Sequence, residues 1–229
     1  MFFSTKNTKK NQQDQLKLKA AQAAIEYIQP GMKLAIGTGS TVNLFIDELV
    51  KVKSRVDCIV SSSINTTQYL MEKDFKVVDI NYPNTIDLYI DGADEANHYK
   101  TLIKGGGGAL TGEKICRVMS ERFVCMIDES KLVQSFGSFP IAVEVIPEAR
   151  SYVAKALVKL GGQPVYREGF VTDNGNIILD VHQMDVTNPI ALEGEINQLV
   201  GVVCNGIFAV HPADILLVAQ ASGSVEVIE

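Results

Sequence analysis

Lys33–Val52 reads KLAIGTGSTVNLFIDELVKV. The segment Lys33–Ile36 has strand character, Gly37–Thr41 is a turn, and Phe45, Ile46 and Leu49 follow at helical spacing through about Val52. The alternation continues downstream. Asp57–Val60 reads as a strand, followed by Ser61, Ser62 and Ser63 and by a helix over Thr66–Lys73. Lys76–Ile80 and Leu88–Ile90 read as strands, Ala109–Ser120 as a helix and Phe123–Ile127 as an apolar strand. Upstream, Leu16–Ile28 carries Leu16, Ala20, Ala24, Tyr27 and Ile28 on one side, and Pro30-Gly31 stops it. Strands alternating with helices predict an α/β fold with a parallel sheet and helices on both faces. Ligands of such sheets bind beyond the carboxyl ends of the strands. The turn at Gly37, the serines at 61–63, the segment DGADE at Asp91–Glu95 and the strand end at Asp128 all follow strands. Four polar loops are therefore expected on one rim.

The pattern changes after about Phe136. Ile141–Val145 reads as a strand, and Glu148–Leu160 as a helix ended by Gly161-Gly162. Gln163–Arg167 is a further strand. Phe170–Thr172 and Ile177–Val181 flank Asp173-Asn174-Gly175-Asn176, a hairpin signal. Pro189–Leu199 reads as a helix and Val202–Val210 as a strand. This order predicts a small α+β domain with an antiparallel sheet. Asp214–Ala219 and Val225–Ile228 are again apolar and are expected to return to the first sheet. The predicted division is residues 1–136 plus 208–229 for the parallel-sheet domain and 137–207 for the inserted one. No internal repeat is present.

The totals narrow the function. A net charge of -6 argues against a broad nucleic-acid or membrane surface, which would show a basic stripe. It leaves room for a phosphate ligand, which a few local lysines can hold. Cys58, Cys116, Cys125 and Cys204 form no CxxC pair and read as buried thiols in a reducing compartment. His98, His182 and His211 are isolated, so no zinc site is expected. No run approaches the roughly 20 apolar residues of a membrane span, and the polar start lacks a signal-peptide core. The expectation is a soluble cytoplasmic protein whose first dozen residues fray.

The chemistry concentrates in Ile90–Lys114, IDGADEANHYKTLIKGGGGALTGEK. Asp91, Asp94 and Glu113 surround Lys104 in sequence, and four glycines, Gly105–Gly108, follow the lysine. Glycines let a backbone approach a ligand closely. Acid, base and ammonium beside such a loop are what proton transfer on a small anion needs. Two close carboxylates repel, so one of the aspartates can hold a proton; a magnesium site or a hydrogen-bonded turn is the alternative. Glu113 reads as a general base, or as an acidic residue favoured in a first helical turn. Gly37–Thr41 precedes a helix, whose N–H groups and dipole suit an anion, and Thr38, Ser40 and Thr41 add hydroxyl donors. It is neither a Walker loop nor a full G-x-G-x-x-G. Ser61–Ser63 serve as a helix cap or as a ligand contact. Lys17 and Lys131 are candidate phosphate partners or surface lysines.

The segments GTGST, SSS, DGADE, KGGGGALTGEK, DESK, FPIAVEVIP, LVKLGG and VTDNGNIILDV occur in this order. Together they resemble the ribose-5-phosphate isomerases of the A type, from about Gln13 to the carboxyl terminus. The resemblance implies interconversion of D-ribose 5-phosphate and D-ribulose 5-phosphate, in the non-oxidative pentose phosphate pathway. It also implies a Rossmann-like domain with a small ferredoxin-like domain, no metal or other cofactor, and a homodimer or homotetramer. By position it makes Glu113 the proton acceptor; in the expected mechanism Asp91 assists ring opening by proton exchange, Lys104 and the Gly105–Gly107 N–H groups stabilise the enediolate, and Asp94 relays protons among the hydroxyls. It assigns substrate binding to Thr38, Gly39, Ser40, Thr41, Asp91, Gly92, Ala93, Asp94, Lys104, Gly105, Gly106, Gly107 and Lys131, and places Lys17 near the phosphate. The chain departs from the pattern at Gly108 and Gly112, where alanine and arginine are expected, and these glycines are expected to loosen the loop. Ile64-Asn65 replaces a more polar start, and the first twelve residues find no match. Two rival readings are a non-catalytic sugar-phosphate sensor, which would need a DNA-binding module, and an acyl-CoA transferase with a glutamate nucleophile.

Overall fold

The computed structural model describes the backbone of residues 3–229 and the side chains of residues 12–229. In chain order the elements are α1 (Phe3–Ile25), β1 (Met32–Ile36), α2 (Ser40–Leu49), β2 (Val56–Ser61), α3 (Ile64–Glu72), β3 (Ile86–Gly92), β4 (Glu95–Ala96) and β5 (Leu102–Ile103). They continue with α4 (Leu110–Met119), β6 (Ser120–Asp128), β7 (Ile141–Val145), α5 (Arg150–Lys159), β8 (Gln163–Tyr166) and β9 (Ile177–His182). The last are α6 (Pro189–Asn197), β10 (Val202–Asn205), β11 (Ile207–Phe208), β12 (Ile215–Ala219) and β13 (Val225–Ile228).

The large sheet runs β13-β12-β6-β3-β1-β2. All neighbours are parallel except β12 with β13. Period-two alternation assigns the two faces. Leu34, Ile36, Leu88, Ile90, Val124 and Met126 pack under α1, α2 and α3, with Ala20, Phe45, Ile46 and Leu70 in one core. Ala35, Tyr89, Phe123, Cys125 and Ile127 face the other way, with Cys116 of α4 among them. Tyr89 and Phe123 stack there at 4.4 Å between centroids. The order places a topological switch between β1 and β3, where the chain has wound outward in both directions, and sheets of this kind bind ligands at such a point.

The four-stranded sheet β10-β7-β9-β8 is antiparallel throughout. With α5 and α6 it follows β-α-β-β-α-β, the ferredoxin-like order. One face, including Val143, Leu179 and Val181, buries Val153, Leu157 and Ile196 of its helices. The other meets Leu110 at the start of α4 through Ala142 and Ile178. A third sheet, β11-β5-β4, has strands of two residues and no clear sequence signal.

Several expectations change at their edges. Lys76–Ile80 makes only a single bridge, Val77 with Ile59, because Asp79 turns the chain by accepting from Asn81 N–H. Phe170–Thr172 is not a strand; the 173–176 turn forms, closed by Thr172 N–H to the Asn176 carbonyl at 2.9 Å, but β9 pairs with β8. Val202–Val210 breaks at Gly206, whose N–H and carbonyl bind Ala142 and Lys104 as the chain changes sheets. The first helix extends back to Phe3, with no Pro or Gly before Ile25 to stop it, where fraying is expected from the sequence; residues 1 and 2 and the side chains through residue 11 lie outside the described residues. All four cysteines are buried thiols. Among the described residues no helix is long and apolar enough to cross a membrane.

Candidate active site

Three loops of the rim surround one cavity of about 330 Å³ at the carboxyl end of the large sheet. Its walls come from Thr38–Thr41, Gly92–Asp94, Lys104–Gly107 and Glu113, and Lys17 and Lys131 also line it. The candidate residues named from the sequence reach this lining except Asp91 and the serines at 61–63. Asp91 lies beneath it with no exposed surface. Its Oδ1 accepts from Gly92 N–H at 2.7 Å and Thr38 N–H at 3.2 Å. Its Oδ2 accepts from the Tyr89 hydroxyl and pairs with Lys104 Nζ at 2.8 Å. Four donors occupy the carboxylate, so a role for Asp91 in exchanging protons with a ligand does not fit this arrangement. A Cβ on Gly37 would overlap the Asp91 carboxyl, which explains the first glycine of GTGST.

Lys104 is buried and donates to the Gly92 carbonyl at 2.6 Å as well as to Asp91. Its third N–H is left facing Glu113 Oε2, at 3.5 Å. Burial alone would lower the lysine pKa, but the charges of Asp91 and Glu113 outweigh it and hold the ammonium above its ordinary value. Glu113 sits in the first turn of α4, where an acidic group is favoured by the helix dipole. Burial nevertheless dominates: it pushes Glu113 up to about 8, with Lys104 opposing and Asp91 and Asp94 adding to the rise. At 3.5 Å Lys104 is an ion-pair neighbour rather than a directed donor, so Glu113 Oε2 is buried without a hydrogen-bond partner. Asp94 is half-buried on the wall and accepts from Gly106 N–H at 2.8 Å.

At the other end of the cavity, α2 begins at Ser40 without a side-chain cap, leaving its first-turn N–H groups for a ligand. Lys17 reaches across from α1 to donate to Ser40 Oγ at 3.0 Å. Ser63 caps α3 by accepting from Thr66 N–H and donates to Thr38 Oγ1 at 3.2 Å, so the serine run supports the first loop from behind. Sequence reasoning missed Gln13, Asn65, Met126 and Ile127 in the lining. Gln13 lies one helical turn before Lys17 and donates to Asp128 Oδ2 at 3.3 Å, a spacing that could have found it.

Gly108 and Gly112 each stand against a close neighbour. Gly108 has φ +79°, and a Cβ there would overlap the Phe170 ring; a Cβ on Gly112 would overlap the Ser62 carbonyl. Gly108→Ala is expected to lower stability by roughly 1–3 kcal/mol, from left-handed strain plus displacement of the ring. Thermal unfolding checks this, and an unchanged Tm would show that Phe170 yields freely.

A buried carboxyl with a raised pKa, an ammonium beside it and an anion-ready helix start define an acid–base enzyme for a small anionic substrate. Comparison with known proteins makes this specific. The pattern of the family described as ribose 5-phosphate isomerase A (phosphoriboisomerase A) matches residues 58–223. A ribose-5-phosphate isomerase A of Francisella tularensis subsp. novicida (strain U112) is 54% identical over 228 residues, covering 100% of both chains. That alignment therefore includes the amino-terminal stretch for which the motifs offered no match. The structure of ribose 5 phosphate isomerase A from Neisseria gonorrhoeae superposes with a TM-score of 0.92 at 45% identity, covering 94% of this chain and 96% of the other. A D-ribose-5-phosphate isomerase solved in complex with phospho-erythronic acid gives 0.88 at 34% identity, covering 93% and 97%. The chain belongs to the ribose 5-phosphate isomerase A family.

Proposed function

We propose that this protein interconverts D-ribose 5-phosphate and D-ribulose 5-phosphate through an enediolate. The observation that carries the reading is the Lys104–Glu113 pair, 3.5 Å apart and opening on the same cavity as the α2 amino terminus. The phosphate, about -2 near neutral pH, is anchored by the Ser40 and Thr41 N–H groups, Lys17 and Lys131. The furanose must open first. Asp94 takes the proton of the anomeric hydroxyl and returns one to the ring oxygen, since it is the aspartate on the cavity wall. Glu113 then removes the C2 proton of the aldehyde and delivers it to C1, while Asp94 relays the O2 hydroxyl proton to O1. The third N–H of Lys104 and the loop N–H groups stabilise the developing oxyanion. Asp91 acts through Lys104, which it holds in place and in charge. Phospho-erythronic acid, with which the related isomerase was solved, pairs a phosphate with a carboxylate, which supports a site for a sugar phosphate that develops a second negative charge.

Conversion of ribose 5-phosphate to the ketose, followed with and without chelator, tests the activity; no ketose would sink it. Lys131→Ala and Lys17→Ala are each expected to raise KM by about 10-fold with kcat within about 3-fold, the loss of one charged contact to phosphate. Unchanged KM in both would remove the lysines from the anchor.

The proposed division into residues 1–136 plus 208–229 and 137–207 is supported by sheet membership, since β7–β10 form the small sheet and β12 returns beside β6. Self-association as a dimer or tetramer is part of the reading; exposed Ile115, Val118 and Val203 on α4 and β10 support a covered face there.

A further inference from the structure

The Gly105–Gly108 loop has no side chains to fix its peptide planes, and glycine peptides rotate at little cost. Yet the proposed oxyanion role needs those planes held one way. Arg167, just beyond β8 in the small sheet, faces the back of this loop. Its guanidinium donates to the Gly105 carbonyl from both terminal nitrogens, at 3.2 Å each, and to the Gly106 carbonyl at 3.3 Å. The arginine is itself clamped. Nε and Nη2 bind the two Asp180 oxygens at 2.8 and 2.5 Å, the Phe170 ring lies 5.4 Å from the guanidinium carbon, and the Arg167 N–H binds the Ile178 carbonyl at 3.0 Å.

In a trans peptide the C=O and the next N–H point in opposite directions. Pinning the Gly105 carbonyl on Arg167 therefore turns Gly106 N–H toward the cavity, where it meets Asp94 Oδ2 at 2.8 Å. Pinning the Gly106 carbonyl turns Gly107 N–H the same way, and that group has no acceptor among the described residues. The geometry points to Arg167 as the positioning residue that aims the Gly107 N–H at the reacting end of the substrate and the Gly106 N–H at Asp94. This inference rests on the isomerase reading above. Lysine cannot replace it, because one ammonium lacks the planar fork needed to hold Asp180 and two carbonyls together.

The test compares Arg167→Ala and Arg167→Lys with the unaltered protein. Arg167→Ala is expected to lower kcat by about 10–100-fold, somewhat less than removal of an oxyanion donor, with KM for ribose 5-phosphate within about 3-fold. Its Kd for phospho-erythronic acid should rise about 10-fold or more, because the carboxylate loses an aligned donor. Its Kd for inorganic phosphate should stay within about 2-fold, since the anchor is elsewhere. Added guanidinium ion should restore part of the kcat of Arg167→Ala and none of that of Glu113→Gln. Arg167→Lys, which keeps the charge and a contact to Asp180, should fold normally and still show the kcat loss. Either variant with wild-type kcat and wild-type phospho-erythronic acid affinity would overturn the inference. So would a parallel loss of inorganic phosphate affinity, which would mark a general collapse. An unaltered protein that binds phospho-erythronic acid but makes no ketose would instead overturn the isomerase reading.

Discussion

Glu113→Gln is expected to lower kcat by about 10²–10⁴-fold while leaving KM within about 3-fold. Glutamine keeps the shape and the dipole of the first helical turn but has no basic lone pair to take a carbon-bound proton. The proposed phosphate anchor is α2, Lys17 and Lys131, so ground-state binding should survive. A carboxyl pushed up to about 8 is a stronger base than an ordinary glutamate, which suits proton abstraction from carbon. It also predicts the pH profile. The base must be ionised in the free enzyme, so kcat/KM should rise with an inflection near pH 8, and the Gln variant should lose that limb. The stability effect runs the other way. Between the unfolded value of 4.5 and the folded value of about 8, only the folded state holds the proton, so stability falls as pH rises through this window and then levels off. Glutamine carries no charge to bury, so the variant should melt higher than the wild type at pH 9. A Gln variant with more than a tenth of wild-type turnover, or a profile that inflects below pH 6 in both proteins, would remove Glu113 from the base role.

The rim was legible because polar loops after apolar runs need no tertiary knowledge to place. GTGST, DGADE and the glycine run each end a strand or begin a helix, and the sheet order brings them to the switch between β1 and β3. The small sheet was legible for the same reason: two helices between four strands, with a turn at Asp173–Asn176. What could not be read depends on neighbours distant in sequence. Asp91 and Asp94 look alike within DGADE, but Tyr89, Thr38 N–H and Lys104 close around the first and leave the second on the wall. Gly108 and Gly112 looked like added slack until Phe170 and Ser62 were found against them. Arg167 gave no signal at all, because its partners are loop carbonyls some 60 residues earlier (62 for Gly105). Two-residue strands such as β4, β5 and β11 carry too few side chains for any period to show.

Lys104→Met is expected to be the other large loss, about 10²–10³-fold in kcat. Two of the lysine's three N–H groups are taken by Asp91 and the Gly92 carbonyl, and the third is the ammonium proton left for an oxyanion. Methionine fills the volume but stabilises no developing charge. It also removes the main influence that lowers the Glu113 pKa, while Asp91 and Asp94 continue to raise it. The acid limb of kcat/KM should therefore move above about 8, so that raising the pH recovers part of the activity. The substitution carries a structural cost, since Asp91 becomes a buried carboxylate without its counter-charge, a loss of about 3–5 kcal/mol. Combining Lys104→Met with Asp91→Asn removes both charges and should return most of that stability. Turnover should not return with it, because no ammonium faces the cavity in either protein. That split between stability and chemistry would separate the two roles proposed for the cluster: Asp91 holding the lysine, and the lysine meeting the substrate. If the double variant regained both its melting temperature and its kcat, the Lys104–Asp91 pair would be a structural bridge alone, and the oxyanion would need another donor.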